Sequence, residues 1–461
     1  MTELKEYFKK NQIFVISIFF YVLMTLPFML NHIPWYDEAH AYMQAYFMNF
    51  NNWVGIIKIE GHPLLWFLIL MPFAKANWHY PYPMLVINYI SSLAAILVLW
   101  KVAPFNKWLK VGVTFSSMFL IYFPIVARGY TIGVLLIFLL SALYKNKLEH
   151  PFLYPILVGL AMNLNIMCGI GASWFGLIFF IELLKSNLNT KTKAISCSIL
   201  VFSTLLFIFP FLGGFGSEAT YEYNTISARL NNIYLFFSSP ILRIILFLSS
   251  IILILIKTHL CKEHTYLVYT YLLLLCLFAF FYPGGPHHFI FLYIYLLSFL
   301  WIYNEKCYNE NKNGVCSLNS KADLPCIILI LLLFMPLQYT MSNIYYGHKI
   351  HTKKLVSIIN TQPKFKNSRL FINEREALII PYLIDNKNIE IYSACNKKPL
   401  NWDMYDTHNC ISLEILINEL YDKDKDTYLF VSPDIHSKQF DKEFKIYEFP
   451  KKISSGELRN E

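Results

Sequence analysis

Uninterrupted apolar runs of membrane-crossing length dominate the chain, beginning with Ile13 to Leu30. A hydrocarbon core takes about 20 residues of helix to cross. In lipid, only helices and closed barrels satisfy every backbone N–H and C=O. Barrel strands alternate apolar and polar residues, whereas these runs are continuous, so helices are expected. Charged residues make up 15% of the 461 and hydrophobic residues 56%, where a soluble protein would carry about 25% charged.

The runs predict eleven spans, near 12–30, 83–100, 111–127, 130–144, 152–168, 170–184, 194–211, 240–256, 265–282, 288–303 and 325–341. The first follows Lys5, Lys9 and Lys10 as a signal peptide would. It is longer than a typical apolar signal core and has no small-x-small cleavage site before Trp35, so it reads as a retained helix. With the N-terminus inside, the cytoplasmic segments hold sixteen Lys or Arg, and the short outer segments hold four: Lys58, Lys75, Arg128 and Arg229. That bias orients the chain, and an odd number of spans leaves the C-terminal region extracytoplasmic. The formal charge of +9 is spread through these short loops rather than gathered in a basic, aromatic-interleaved patch, which excludes nucleic acid as a partner. The expected class is an α-helical polytopic protein of the inner (plasma) membrane of a bacterium, the Lys-, Asn- and Ile-rich composition suggesting an AT-rich genome.

Two domains are expected. Residues 1–345 form the transmembrane part, with a long, aromatic first outer loop at 31–82. Within it, Leu64 to Phe73 is too short to span and reads as an interfacial or re-entrant helix. Trp35, Trp53, Trp66 and Trp78 suit the headgroup level. Residues 346–461 read as a small extracytoplasmic α/β domain. Strands are expected at 370–372, 390–392, 428–431 and 444–449, and helices at 375–385 and 411–422. Nine cysteines show no CxxC pair and no zinc spacing, and Cys395 and Cys410 could pair as a disulfide outside the cytoplasm.

Chemistry-bearing residues gather on the outer side. Trp35-Tyr36-Asp37-Glu38 follows the first span. Neighbours on a helix diverge by about 100°, so both acids do not easily enter one pocket. One would face a site, as general base toward a hydroxyl, while the other braces the loop. The plain alternative is a solvated helix end. His62-Pro63 opens the short interfacial segment, where a helix N-terminus draws phosphate and an imidazole would add to the pull. Arg128 and Tyr130 flank a one-glycine junction between the third and fourth spans. Guanidinium donates a planar fork to phosphate, although an arginine there could equally snorkel to the interface. His287 and His288 with His62 and Glu60 are a possible divalent-metal set that their spacing does not require. Glu222 and Arg229 lie in a further outer loop at 212–239.

Taken together, Trp35-Tyr36-Asp37-Glu38-Ala39, Gly61-His62-Pro63-Leu64-Leu65 and Ala127-Arg128-Gly129-Tyr130 resemble, in order, spacing and placement, the motifs of the GT-C superfamily. Its members are polyprenyl-phosphate-sugar-dependent glycosyltransferases, among them protein O-mannosyltransferases and lipid A aminoarabinose transferases. The likeness covers about the first 185 residues well and the later spans by architecture. It departs at Leu64, where the family often has a second proline, and at Gly129, where it often has a further acid or arginine. The resemblance implies catalysis by Asp37 with Glu38 as helper, and donor-phosphate binding by Arg128 and His62; Tyr130 and Arg229 are further candidates for the donor phosphate. It implies a polyprenyl-phosphate-linked sugar donor and a lipid, glycan or protein acceptor. No cofactor is required, and a divalent metal is possible. A transporter or flippase of lipid-linked sugar, or a non-catalytic scaffold of envelope glycan assembly, is the alternative.

Overall fold

A computed structural model describes residues 11–60, 62–76, 78, 80–213, 227, 263–278, 288, 290–310, 355–372, 388–393, 426–431 and 445–449. The chain divides into two compact units. One comprises Met1–Asn31, Ile57–Ile69 and Met84–Met341, and the other His32–Ile56, Leu70–Pro83 and Ser342–Glu461. The expected spans at 240–256 and 325–341, the expected helices at 375–385 and 411–422, and Cys395 and Cys410 lie outside the described residues.

The helices in chain order are α1 (Gln12–Leu30), α2 (Tyr36–Phe47), α3 (Trp53–Glu60), α4 (Leu65–Lys75), α5 (Tyr82–Val102), α6 (Lys107–Thr114), α7 (Phe123–Ile125), α8 (Tyr130–Leu143), α9 (Leu153–Met162), α10 (Ile166–Lys185), α11 (Thr190–Ile208), α12 (His264–Cys276) and α13 (Ile290–Glu310). Among the described residues, four helices are long and apolar enough to cross a bilayer: α1, α5, α10, and α11 with the 3-10 turn that prolongs it to Leu212. A fifth follows if the pair Lys107–Thr114 and Met118–Ile125, bent by 50°, is one span. This is a helical membrane protein.

Hydropathy marks the apolar part of each helix, and capping residues mark its true start. The expected span at 111–127 begins one turn earlier, at Lys107, because the Asn106 side chain accepts from Leu109 N at 2.8 Å. The span expected from 194 likewise begins at Thr190, capped by Asn189, which accepts from Thr192 N at 2.7 Å. The run expected at 152–168 stops at Met162, and a new helix opens at Ile166. Asn165 causes the break by accepting from Cys168 N at 2.8 Å. Asn163 holds its other side, donating to Gly159 O at 2.9 Å and Ser203 O at 3.0 Å.

The bend between α6 and α7 has local causes. Thr114 and Ser116 turn their hydroxyls back onto Lys110 O and Val113 O, each at 2.7 Å. A π turn follows over Met118–Tyr122, and Pro124 cannot donate to the carbonyl one turn back.

Buried polar pairs tie the helices of this unit together, as expected where lipid offers no hydrophobic drive between them. Tyr21 and Ser92 hydroxyls meet at 2.7 Å, and Thr25 and Tyr89 at 3.1 Å. Ser141 pairs with Ser298, and Tyr295 donates its hydroxyl to Met167 O. Gly133 lets α8 and α10 approach closely, since a Cβ there would lie 2.0 Å from Cys168 Sγ.

In the other unit, β1 (Ser368–Ile372), β2 (Glu390–Ser393), β3 (Asp426–Val431) and β4 (Lys445–Phe449) form one sheet ordered β2-β1-β3-β4. β1 pairs in parallel with β2 and β3, whereas β4 pairs antiparallel to β3. Residues 355–361 are helical. Leu355, Ile359, Phe365, Leu370, Ile372, Ile389, Ile391 and Tyr428 make the core beside the sheet.

Candidate functional site

In the unit that holds α8, the junction after α7 is built by unsatisfied helix ends. The Phe123 carbonyl accepts from Asn88 Nδ2 at 2.6 Å and Thr131 Oγ1 at 3.0 Å. Those two bonds, from α5 and α8, hold the chain where it leaves the helix. Arg128 N donates to Val126 O at 2.9 Å, a tight reversal, and Tyr130 then opens α8. Gly129 fits because a Cβ would come within 3.3 Å of the Trp66 side chain and 3.4 Å of Leu164 O. The start of α4 is tied to the same place, with Leu65 N donating to Asn163 O at 3.0 Å.

These constraints bring His62 and Arg128 together. A guanidinium N–H donates to His62 Nε2 at 3.4 Å. Guanidinium has no acceptor, so His62 Nε2 carries a lone pair and accepts in this contact. α4 begins at Leu65, so Pro63 precedes the helix rather than occupying its first position. Arg128 is half-buried, and its guanidinium carbon lies 5.8 Å from the Tyr130 ring centroid, within cation–π range. The Tyr130 hydroxyl meets His288 Nε2 at 3.0 Å, both residues buried.

The acidic motif lies in the other unit. α2 starts at Tyr36, placing Asp37 and Glu38 in its first turn, where carboxylates complement the helix dipole. Glu38 is fully buried and Asp37 is exposed. Glu38 Oε2 accepts from Trp35 N at 2.6 Å and lies 2.8 Å from buried His32 Nε2. Glu38 thus braces the loop into the helix, and Asp37 is the acid turned outward. Further along α2, Gln44 Nε2 donates to buried His40 Nε2 at 3.3 Å. Tyr42 donates to Trp78 O at 3.4 Å, and burial pushes its hydroxyl pKa up to about 12.

Arg229, Glu222 and His287 lie outside the described residues, as does the side chain of Glu60. Of the suggested metal set, His62 and His288 turn their Nε2 atoms to Arg128 and Tyr130 respectively. Among the described residues, no group of three or more His, Cys, Asp or Glu could hold a metal.

Sequence reasoning missed His32, the place of Trp66 beside Gly129, and the Tyr130–His288 pair. His32 had a signal: an imidazole six residues ahead of a first-turn glutamate at a helix entry. The pairing of Tyr130 with His288 had none, because 158 residues separate them. The sequence matches no family model and no curated protein.

Proposed function

We propose that the chain is an inverting glycosyltransferase that moves a sugar from a polyprenyl-phosphate donor to an acceptor on the outer face of the membrane. The observation that carries the reading is the Arg128 turn. A half-buried guanidinium, backed by a tyrosine ring and donating to a neutral imidazole, is held at a junction where four polypeptide segments meet. Such a fixed fork suits a lipid phosphate. The buried bracing role of Glu38 and the exposure of Asp37 support assigning the base to Asp37.

In this mechanism the acceptor hydroxyl or amine attacks the anomeric carbon, its proton passes to Asp37, and the bond from that carbon to the phosphate oxygen breaks. Arg128, with His62, Tyr130 and Arg229 as helpers, takes the charge that grows on the departing lipid phosphate. One displacement inverts the anomeric centre. No cofactor is needed. The reading takes eleven spans of GT-C type, a cytoplasmic N-terminus and an extracytoplasmic α/β region at 346–461 that holds the acceptor. A periplasmic reporter fused at the C-terminus is then active.

The test is Asp37→Asn in purified protein supplied with a polyprenyl-phosphate sugar and a membrane extract as acceptor. Transfer by the wild type and its loss in the variant support the reading. An unchanged rate in the variant overturns the assignment of Asp37. Vectorial movement of lipid-linked sugar without transfer points to a flippase. Absence of both activities points to a scaffold.

A further inference from the structure

We propose that His288 is a positioning residue that sets the Arg128 guanidinium through the Tyr130 ring. This inference rests on the proposed role of Arg128 at a lipid phosphate.

The contacts run in one line. His288 Nε2 meets the Tyr130 hydroxyl at 3.0 Å. The Tyr130 ring lies under the guanidinium, 5.8 Å from its carbon. His62 Nε2 receives a guanidinium N–H at 3.4 Å. Arg128 carries a long side chain on a non-helical turn, so its backbone alone leaves the head group several rotamers. A ring face and an acceptor narrow that choice, and the ring's own direction then decides where the fork points.

The ring is packed as well as tethered. Tyr122 stacks on it at 6.3 Å, and Phe291 meets it edge-on at 5.8 Å. These contacts fix its plane, whereas the hydroxyl bond fixes how far it swings along that plane. His288 is itself well fixed. It is buried, Phe278 packs on it at 6.4 Å, and its carbonyl accepts from Phe291 N at 3.2 Å as α13 begins. A buried imidazole against a buried phenol is a firm tether, because neither partner has water to turn to. The pair therefore couples the start of α13 to the turn that presents Arg128. His288 was a possible metal ligand by sequence; by geometry it serves the cation instead.

The experiment titrates full-length protein in detergent with two probes, a polyprenyl monophosphate and the matching polyprenol. An inactive fraction lowers the amplitude of such a titration and leaves Kd unchanged, which separates positioning from a fold defect. The wild type is expected to prefer the monophosphate. His288→Ala and Tyr130→Phe are each expected to weaken the monophosphate by about tenfold, the scale of one charge-assisted hydrogen bond compromised, and to leave polyprenol unchanged. His288→Gln, whose amide reaches the same hydroxyl, restores most of the affinity. In an Arg128→Ala background, His288→Ala adds nothing. If the wild type prefers the monophosphate and His288→Ala keeps its Kd, or if His288→Ala exerts its full effect without Arg128, the inference is overturned alone. If the wild type binds both probes equally, the glycosyltransfer reading falls and this inference falls with it.

Discussion

Replacing Glu38 and replacing Asp37 are expected to damage different properties, although the two acids are adjacent. Glu38→Ala removes a fully buried carboxylate whose Oε2 faces Trp35 N at 2.6 Å and His32 Nε2 at 2.8 Å. Each stranded donor costs about 1–3 kcal/mol. Two stranded donors together cost about 2–6 kcal/mol. Asp37→Ala removes an exposed first-turn carboxylate, worth about 0.3–1 kcal/mol through the helix dipole. For an unfolding unit of about 150–250 residues, these figures translate to a Tm drop of roughly 4–24 °C for Glu38→Ala and of about 4 °C or less for Asp37→Ala. Thermal unfolding of both variants in the same detergent, followed by tryptophan fluorescence, measures the difference. Transfer activity is expected to follow the opposite order once corrected for folded protein, with Asp37→Ala the more damaged. Equal Tm values for the two variants, or a larger drop for Asp37→Ala, would refute the division of labour between the acids.

Gly133→Ala is expected to loosen the approach of α8 to α10 by about 1–3 kcal/mol, since the new Cβ would lie 2.0 Å from Cys168 Sγ. Adding Cys168→Ala should recover part of the lost monodispersity on size exclusion. Arg128→Lys keeps the charge and loses the fork, so donor-dependent transfer should fall about 10²- to 10³-fold, with little change in Tm. The Tyr42 hydroxyl pKa stands at about 12 in the fold, above the ordinary tyrosine value of 10.0. The stability linked to its neutral form is therefore present below about pH 10 and lost as pH rises toward 12. Tm measured from pH 9 to pH 12 should fall less steeply in Tyr42→Phe than in the wild type.

Some of the site was legible because its causes are local. Arg128-Gly129-Tyr130 reads as a helix junction since a lone glycine between two apolar runs leaves little else to build. Asp37 and Glu38 diverge on any helix, so one of them had to brace while the other faced outward. Which one braces was not legible. His32 decides that, by standing where it meets Glu38 and not Asp37. Helix starts were misread by a turn at Lys107 and Thr190 because hydropathy weighs lysines and threonines as loop, whereas Asn106 and Asn189 carry the helix through them. The break between α9 and α10 was missed for the same reason. Asn163 and Asn165 sit in an apolar run, and their side chains compete for backbone groups over two or three residues, a range that a long window averages away.

The amino-acid sequence by itself determined that this chain is helical and membrane-embedded, because continuous apolar runs leave the backbone no other way to satisfy its polar groups in lipid. It also placed β strands near 370, 391, 429 and 446, where short apolar runs meet strand length. Only the tertiary structure decided the order β2-β1-β3-β4, since parallel pairing is set by long connections and not by the strands themselves. Only it decided that Tyr130 would hold His288, that His62 would meet Arg128 as an acceptor, and that Glu38 would be the buried acid. Those choices depend on which side chains arrive from distant segments to fill one another's hydrogen-bonding capacity, which no local pattern encodes.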